Sequence, residues 1–102
     1  MQTIIIVLDS RKMQNPDLDI RYILPDRIDE YTNGRASDNG YDYISDDELA
    51  VWLSTEDAER DVKDVIELIK TEKFLDNDLT RCAQVYISDK DCAELENSRK
   101  VF

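Results

Sequence analysis

The run Thr3-Ile4-Ile5-Ile6-Val7-Leu8 constrains this chain more than any other feature. It is almost wholly β-branched, and such side chains fit a pleated strand better than a helix. An unbroken apolar run, unlike an alternating one, fits a strand covered on both faces. Asp9 closes it far short of the roughly 20 residues that a membrane-spanning helix needs. A second continuous run, Leu49-Ala50-Val51-Trp52-Leu53, reads the same way. The chain must therefore build a sheet whose central strands are covered on two sides.

Between these runs, Asn15-Pro16 reads as a helix start and Asn33-Gly34 as a C-cap. Ile20, Ile23, Leu24 and Ile28 share a helical face, whereas Leu18, Ile20 and Tyr22 alone would suit a strand. Pro25 breaks the pattern. Residues 15–33 thus read as one kinked helix, two helices or a strand plus a helix, with helix preferred. Asp38-Asn39-Gly40 is a turn signal, and Tyr41–Ile44 a short strand hairpinned to Leu49–Leu53 across Ser45–Asp47. Ser54 with Asp57 approximates a capping box for the clearest helix, whose stripe is Ala58, Val62, Val65, Ile66 and Ile69, ending near Lys73. Cys82–Ser88 alternates like a half-exposed strand, and Ser88 or Asp91 could cap a short final helix through Glu96.

The order is strand, helix, strand, strand, helix, strand in a single domain, 1–102. It predicts an α+β fold: a ferredoxin-like βαββαβ sandwich, with an antiparallel four-stranded sheet and two helices on one face. The first and third strands would be central and the other two would form the edges. Since Ile4 and Ile6 alternate with Ile5 and Val7, the face without helices is also apolar. The C-terminal segment, a partner, or a second copy in a homodimer through the open sheet face near Trp52 should cover it.

The sequence supplies little for catalysis. It has no histidine, the usual general base near neutral pH, and no G-x-G-x-x-G or P-loop to cradle phosphates. Cys82 and Cys92 have neither a C-x-x-C spacing nor a neighbouring base, so Cys82 reads as a small core or edge residue. Asp38–Glu48 is rich in oxygen ligands but does not fit the calcium-loop spacing. The expectation is a protein that is not an enzyme and that has no cofactor and no metal site. No secretory signal is legible, which predicts a cytoplasmic protein with reduced thiols.

Charge is more informative. The chain has 24 acidic and 13 basic residues, net −11, a balance that repels nucleic acid and anionic membranes and favours cationic partners or plain solubility. Residues 15–48 hold ten carboxylates against three arginines, −7 of that total. Within them, Asp38, Tyr41, Asp42, Tyr43, Asp46, Asp47 and Glu48 form the predicted partner-binding set: rings supply contact area and acids select a basic partner. The alternative is an acidic hairpin in solvent, with one of the two tyrosines turned to the core.

In general character the chain resembles the small acidic immunity proteins of bacterial toxin–immunity systems. The likeness rests on the Asp-rich segments Asp17-Leu18-Asp19, Asp38-Asn39-Gly40-Tyr41-Asp42-Tyr43 and Asp46-Asp47-Glu48 in one compact domain. It implies tight binding to a basic protein toxin, often a nuclease, whose active site or substrate surface is blocked.

Overall fold

In the computed structural model, which describes residues 1–102, the N-terminal apolar run is the middle strand of a five-stranded antiparallel sheet. β1 (Gln2–Asp9) lies between β3 (Glu48–Thr55) and β4 (Ala83–Ser88), with Ile6 opposite both Val51 and Val85. β2 (Ala36–Tyr43) pairs outside β3, and β5 (Arg99–Lys100) outside β4, giving the order β2-β3-β1-β4-β5. Two helices, α1 (Ile20–Tyr31) and α2 (Ala58–Thr71), complete an α+β architecture.

The predicted count of four strands is thereby corrected to five. The alternation of β4 resembles an edge strand, but its outer backbone groups are not left to solvent. Val101 N–H donates to the Val85 carbonyl (2.8 Å), and Val85 N–H donates to that of Phe102 (3.2 Å). The expected final helix is one 3-10 turn, Leu95–Asn97.

Both helices pack on one sheet face. Ile4, Ile6 and Leu8 of β1 share a single core with Ile20, Leu24 and Ile28 of α1 and with Val62, Val65, Leu68 and Ile69 of α2. The opposite face carries Ile5, Val7 and Ala50, beneath Trp52, Tyr86 and Leu95. Its cover is the chain itself, residues 89–97. Trp52 Nε1–H donates to the Ala93 carbonyl (2.8 Å). The buried Thr3 hydroxyl donates to the Lys90 carbonyl (2.7 Å) and accepts from Ala93 N–H (3.2 Å).

Residues 15–33 hold a single helix with a non-helical approach. α1 starts at Ile20, not at Asn15-Pro16, because Asn15 is engaged elsewhere. Its N–H donates to Oδ1 of the buried Asn77 (2.7 Å), whose Nδ2 donates back to the Asn15 carbonyl (2.7 Å). α1 runs through Pro25 and closes as its sequence implies. Asn33 and Gly34 take positive φ (54° and 80°), and Gly34 N–H donates to the Asp29 carbonyl. Ile23 faces solvent rather than the core.

α2 is capped by Asp57, which accepts from Arg60 N–H, while Ser54 still belongs to β3. Its buried stripe includes Leu68 and, unexpectedly, Asp61, while Ile66 is only half-buried. The fully buried Asp61 carboxylate accepts from Thr55 Oγ1 (2.5 Å), Arg35 Nη1 (2.5 Å) and Arg60 Nε (3.0 Å). Arg35 also reaches Asp64 (2.8 Å) and the Thr32 carbonyl (3.0 Å), so this knot ties the end of β3, the turn before β2 and α2. Burial opposes ionisation of Asp61. Hydrogen bonds from Arg60 and Thr55, with the fields of Arg60 and Arg35, outweigh it and hold the carboxyl below its ordinary value.

Two outcomes are expected from this packing. A carboxyl with a lowered folded pKa adds stability that is present above its unfolded value and lost as pH falls through the folded one. Asp61→Asn should therefore cost about 2 kcal/mol near neutral pH, since hydrogen bonds to a charged group are lost. It should also flatten the loss of stability below roughly pH 4. Urea unfolding across that range checks both, and an unchanged acid limb would show that Asp61 is not the linked group. Trp52→Ala should cost about 2 kcal/mol and speed exchange of the Ala93 amide, read by hydrogen–deuterium exchange. Unchanged exchange there would mean that residues 89–97 hold without the indole.

Candidate functional site: an acidic hairpin with a tyrosine shelf

The β2–β3 hairpin is shaped by a one-residue bulge. Asp38 lies opposite Leu53, but Tyr41 lies opposite Val51, so the register slips by one between them. Gly40 carries the irregular backbone at φ +101°, and Asp38 Oδ1 accepts its N–H (2.9 Å). Because side chains alternate along a strand, one extra residue exchanges the faces that follow it. Tyr41 and Tyr43, opposite Val51 and Leu49, are placed on the helix-bearing side, and Asp42, opposite Ala50, on the other. Neither tyrosine enters the core. β2 is the sheet edge, and the rings stand beyond the apolar face of α1, 42% and 47% exposed.

There they meet the first turn of α1. Tyr22 stacks edge-to-face on Tyr41 (centroids 6.0 Å apart), and Tyr41 in the same manner on Tyr43 (6.3 Å). The Arg21 guanidinium lies over Tyr22 (4.7 Å) and Tyr41 (5.2 Å), with Nη1 3.5 Å from Tyr43 Oη. Its Nε is buried without a hydrogen-bond partner. In a chain with 24 carboxylates, Arg21 is held by rings rather than by an acid. The adjacent guanidinium, and then Tyr41, lower the Tyr22 phenol pKa; Tyr22 in turn raises that of Tyr41.

Beside Tyr43 the hairpin closes a cavity of about 160 Å³ against the end of β1 and the approach to α1. Leu8, Leu18, Ile20 and Leu49 give it apolar walls. Asp17, Asp46, Asp47 and Glu48 supply carboxylates around it. The Asp47 carbonyl accepts from Ser10 N–H (2.8 Å) and Ser10 Oγ (3.0 Å), which fixes the hairpin tip to β1.

Of the predicted set, the structure gathers Tyr43, Asp46, Asp47 and Glu48 at one cavity, with Tyr41 next to Tyr43. Asp38 lies across the bulge, and Asp42 is on the opposite sheet face. The sequence reading missed Arg21, Tyr22 and the exposed Leu18. Their signal was present: Leu18 and Tyr22 are apolar positions that fall off the Ile20–Leu24–Ile28 helical stripe. A neighbouring groove of about 450 Å³ has the opposite sign, with Arg11, Lys12, Lys73 and Arg81 around Asp78.

The cysteines are unbridged. Burial first, then Asp78 and Asp9, push the Cys82 thiol up to about 11, which disfavours the nucleophilic thiolate. No three His, Cys, Asp or Glu side chains converge on a common point, and no helix is long and apolar enough to cross a membrane. No protein-family model, curated protein or solved structure matches the chain.

If the guanidinium organises the shelf, Arg21→Gln should raise the lowest tyrosine ionisation midpoint toward the ordinary value of about 10. Ultraviolet pH titration of both proteins checks this, and superimposed curves would mean that Arg21 does not act on Tyr22.

Proposed function

We propose that this protein is an immunity-type inhibitor that binds and neutralises a basic bacterial toxin through the face built by the β2–β3 hairpin and the start of α1. One observation carries the reading: three exposed tyrosines, stacked in series through Tyr41, stand beside a cavity lined in part by four acidic residues. Exposed aromatic clusters are an unusual surface feature, and tyrosines are enriched where proteins meet. The surrounding acids select a cationic partner and speed its approach, and a toxin acting on nucleic acid carries the complementary charge. The inhibitor would block that surface by occupying it, without catalysis, in the cytoplasm.

The alternative is a homodimeric regulatory or small-ligand module paired through the sheet face near Trp52. It has less support, because residues 89–97 of the same chain lie over that face. The fold reading that accompanies the proposal is ferredoxin-like. The order β2-β3-β1-β4 and the antiparallel pairing of β1 with β3 support it, with β5 as an addition beside β4.

Affinity capture from the native host, with mass spectrometry, should return a basic protein whose toxicity is relieved by co-expression of this chain. Asp17→Lys with Asp46→Lys should then slow association by about tenfold at low ionic strength, because like charges oppose the encounter. Added salt should narrow the gap, since exposed charges are screened beyond roughly 10 Å at 0.1 M. Stopped-flow association at two ionic strengths measures this. Equal rates for wild type and variant at low salt would remove this face as the interface.

A further inference from the structure

Resting on the reading of this face as a partner interface, we infer that the cavity beside Tyr43 is a socket for one long cationic side chain, an arginine or lysine, of the bound protein. The cavity lining combines two chemistries, the leucines and the acids, and Leu8 and Leu49 are buried whereas Asp17 and Asp46 are exposed. Its walls include Leu8, Leu49 and Leu18, and Leu18 is 52% exposed although apolar. The acids of the lining are Asp17, Asp46, Asp47 and Glu48.

These carboxylates keep free acceptor capacity. Asp17 accepts one bond, from the Asp19 N–H, and Glu48 Oε1 one, from Ser45 Oγ. The sole cation of the chain paired with any of the four is Arg11, 3.7 Å from Asp47, and it is mostly exposed and also paired with Asp9 at 3.1 Å. A carboxylate can accept at about four lone-pair sites, so most remain open.

The occupant follows from that pairing of chemistries. A purely apolar group would desolvate carboxylates without compensating them. An anion would be repelled. A compact metal ion would leave the apolar walls unused, and no three ligands converge to hold one. An aliphatic stem with a cationic head satisfies both: the methylenes lie on leucines, and the head meets acids. Arg21 displays the same chemistry alongside, its guanidinium laid on Tyr22 and Tyr41. An arginine entering the socket would pass Tyr43, the ring that the shelf and the cavity share.

The test is a nuclear magnetic resonance titration of the full chain with N-acetyl-arginine amide and N-acetyl-lysine amide. N-acetyl-citrulline amide, of arginine's shape without its charge, and N-acetyl-norleucine amide, a bare stem, serve as comparisons. The expected result is saturable shifts of the Leu18 and Leu49 methyls and the Tyr43 ring with the two cationic probes, and much smaller ones with the neutral probes. Asp46→Asn with Glu48→Gln should weaken the cationic probes by roughly threefold or more, the scale of exposed ion pairs. These changes keep side-chain shape, and an unchanged amide spectrum elsewhere verifies the fold. Shifts spread over distant acids such as Asp26 and Glu30 and absent from the cavity would overturn the socket, as would equal binding of arginine and citrulline amides. That failure is separable from failure of the interface reading. A socket that binds arginine amide, in a protein whose partner associates at the same rate after Asp17→Lys and Asp46→Lys, would keep the site and overturn the interface.

Discussion

Burial of β1 on both faces is the constraint from which the rest of this structure follows. Ile4, Ile5 and Ile6 are completely buried, and they point alternately to opposite sides of the sheet. Fully burying each is worth about 1.5–3 kcal/mol, but only if something dry covers both faces. Two helices cover one. On the other, the chain returns after β4 and lays residues 89–97 over Ile5 and Trp52. Backbone groups exposed by that return are satisfied by the Thr3 hydroxyl and the indole N–H, so the cover is held by direction as well as by burial. Thr3 is the one polar member of the strand's apolar run, and this is its use.

The polar pins elsewhere share a logic. Each gives a buried polar side chain hydrogen-bond partners and joins different elements of the fold. Asn77 exchanges hydrogen bonds with the Asn15 backbone across 62 positions, fixing the approach to α1 against the loop after α2. Asp61 gathers Thr55, Arg35 and Arg60. A buried carboxylate without partners would be strongly destabilising, whereas one with three donors orients the elements that supply them. The loop carrying Asp17 and Leu18 to the cavity is thus set by a pin on the far side of the chain.

The placement of the tyrosines depends on a single inserted residue. Without the bulge at Asn39-Gly40, the register that places Asp38 opposite Leu53 would put Tyr41 opposite Ala50, on the Trp52 side. The slip moves Tyr41 and Tyr43 to the side of α1, where Tyr22 and Arg21 complete the shelf and Tyr43 borders the cavity. It also irregularises an exposed edge strand, which discourages pairing with other sheets. A contiguous acidic stretch in sequence is thereby divided. Asp46, Asp47 and Glu48 stay with the tyrosines, and Asp42 leaves them.

The sequence by itself determined the two central strands, the amphipathic α2 and the strand–helix–strand–strand–helix–strand order, because each rests on local periodicity or on continuous apolar runs. It also determined the excess of acid in residues 15–48 and the need for a second cover. Tertiary structure alone decided what that cover is, because covering a face depends on where the chain can return after β4. It added β5, since pairing at an open edge is a non-local contact and leaves no mark in a two-residue strand. It chose Asp57 over Ser54 as the cap and Ile20 over Asn15 as the start of α1, because Ser54 is needed in the β3 ladder and Asn15 by Asn77. And it assembled the site: the bulge reads in sequence as a turn, and the meeting of Tyr22 with Tyr41, 19 residues apart in the chain, exists only once α1 packs beside the sheet edge.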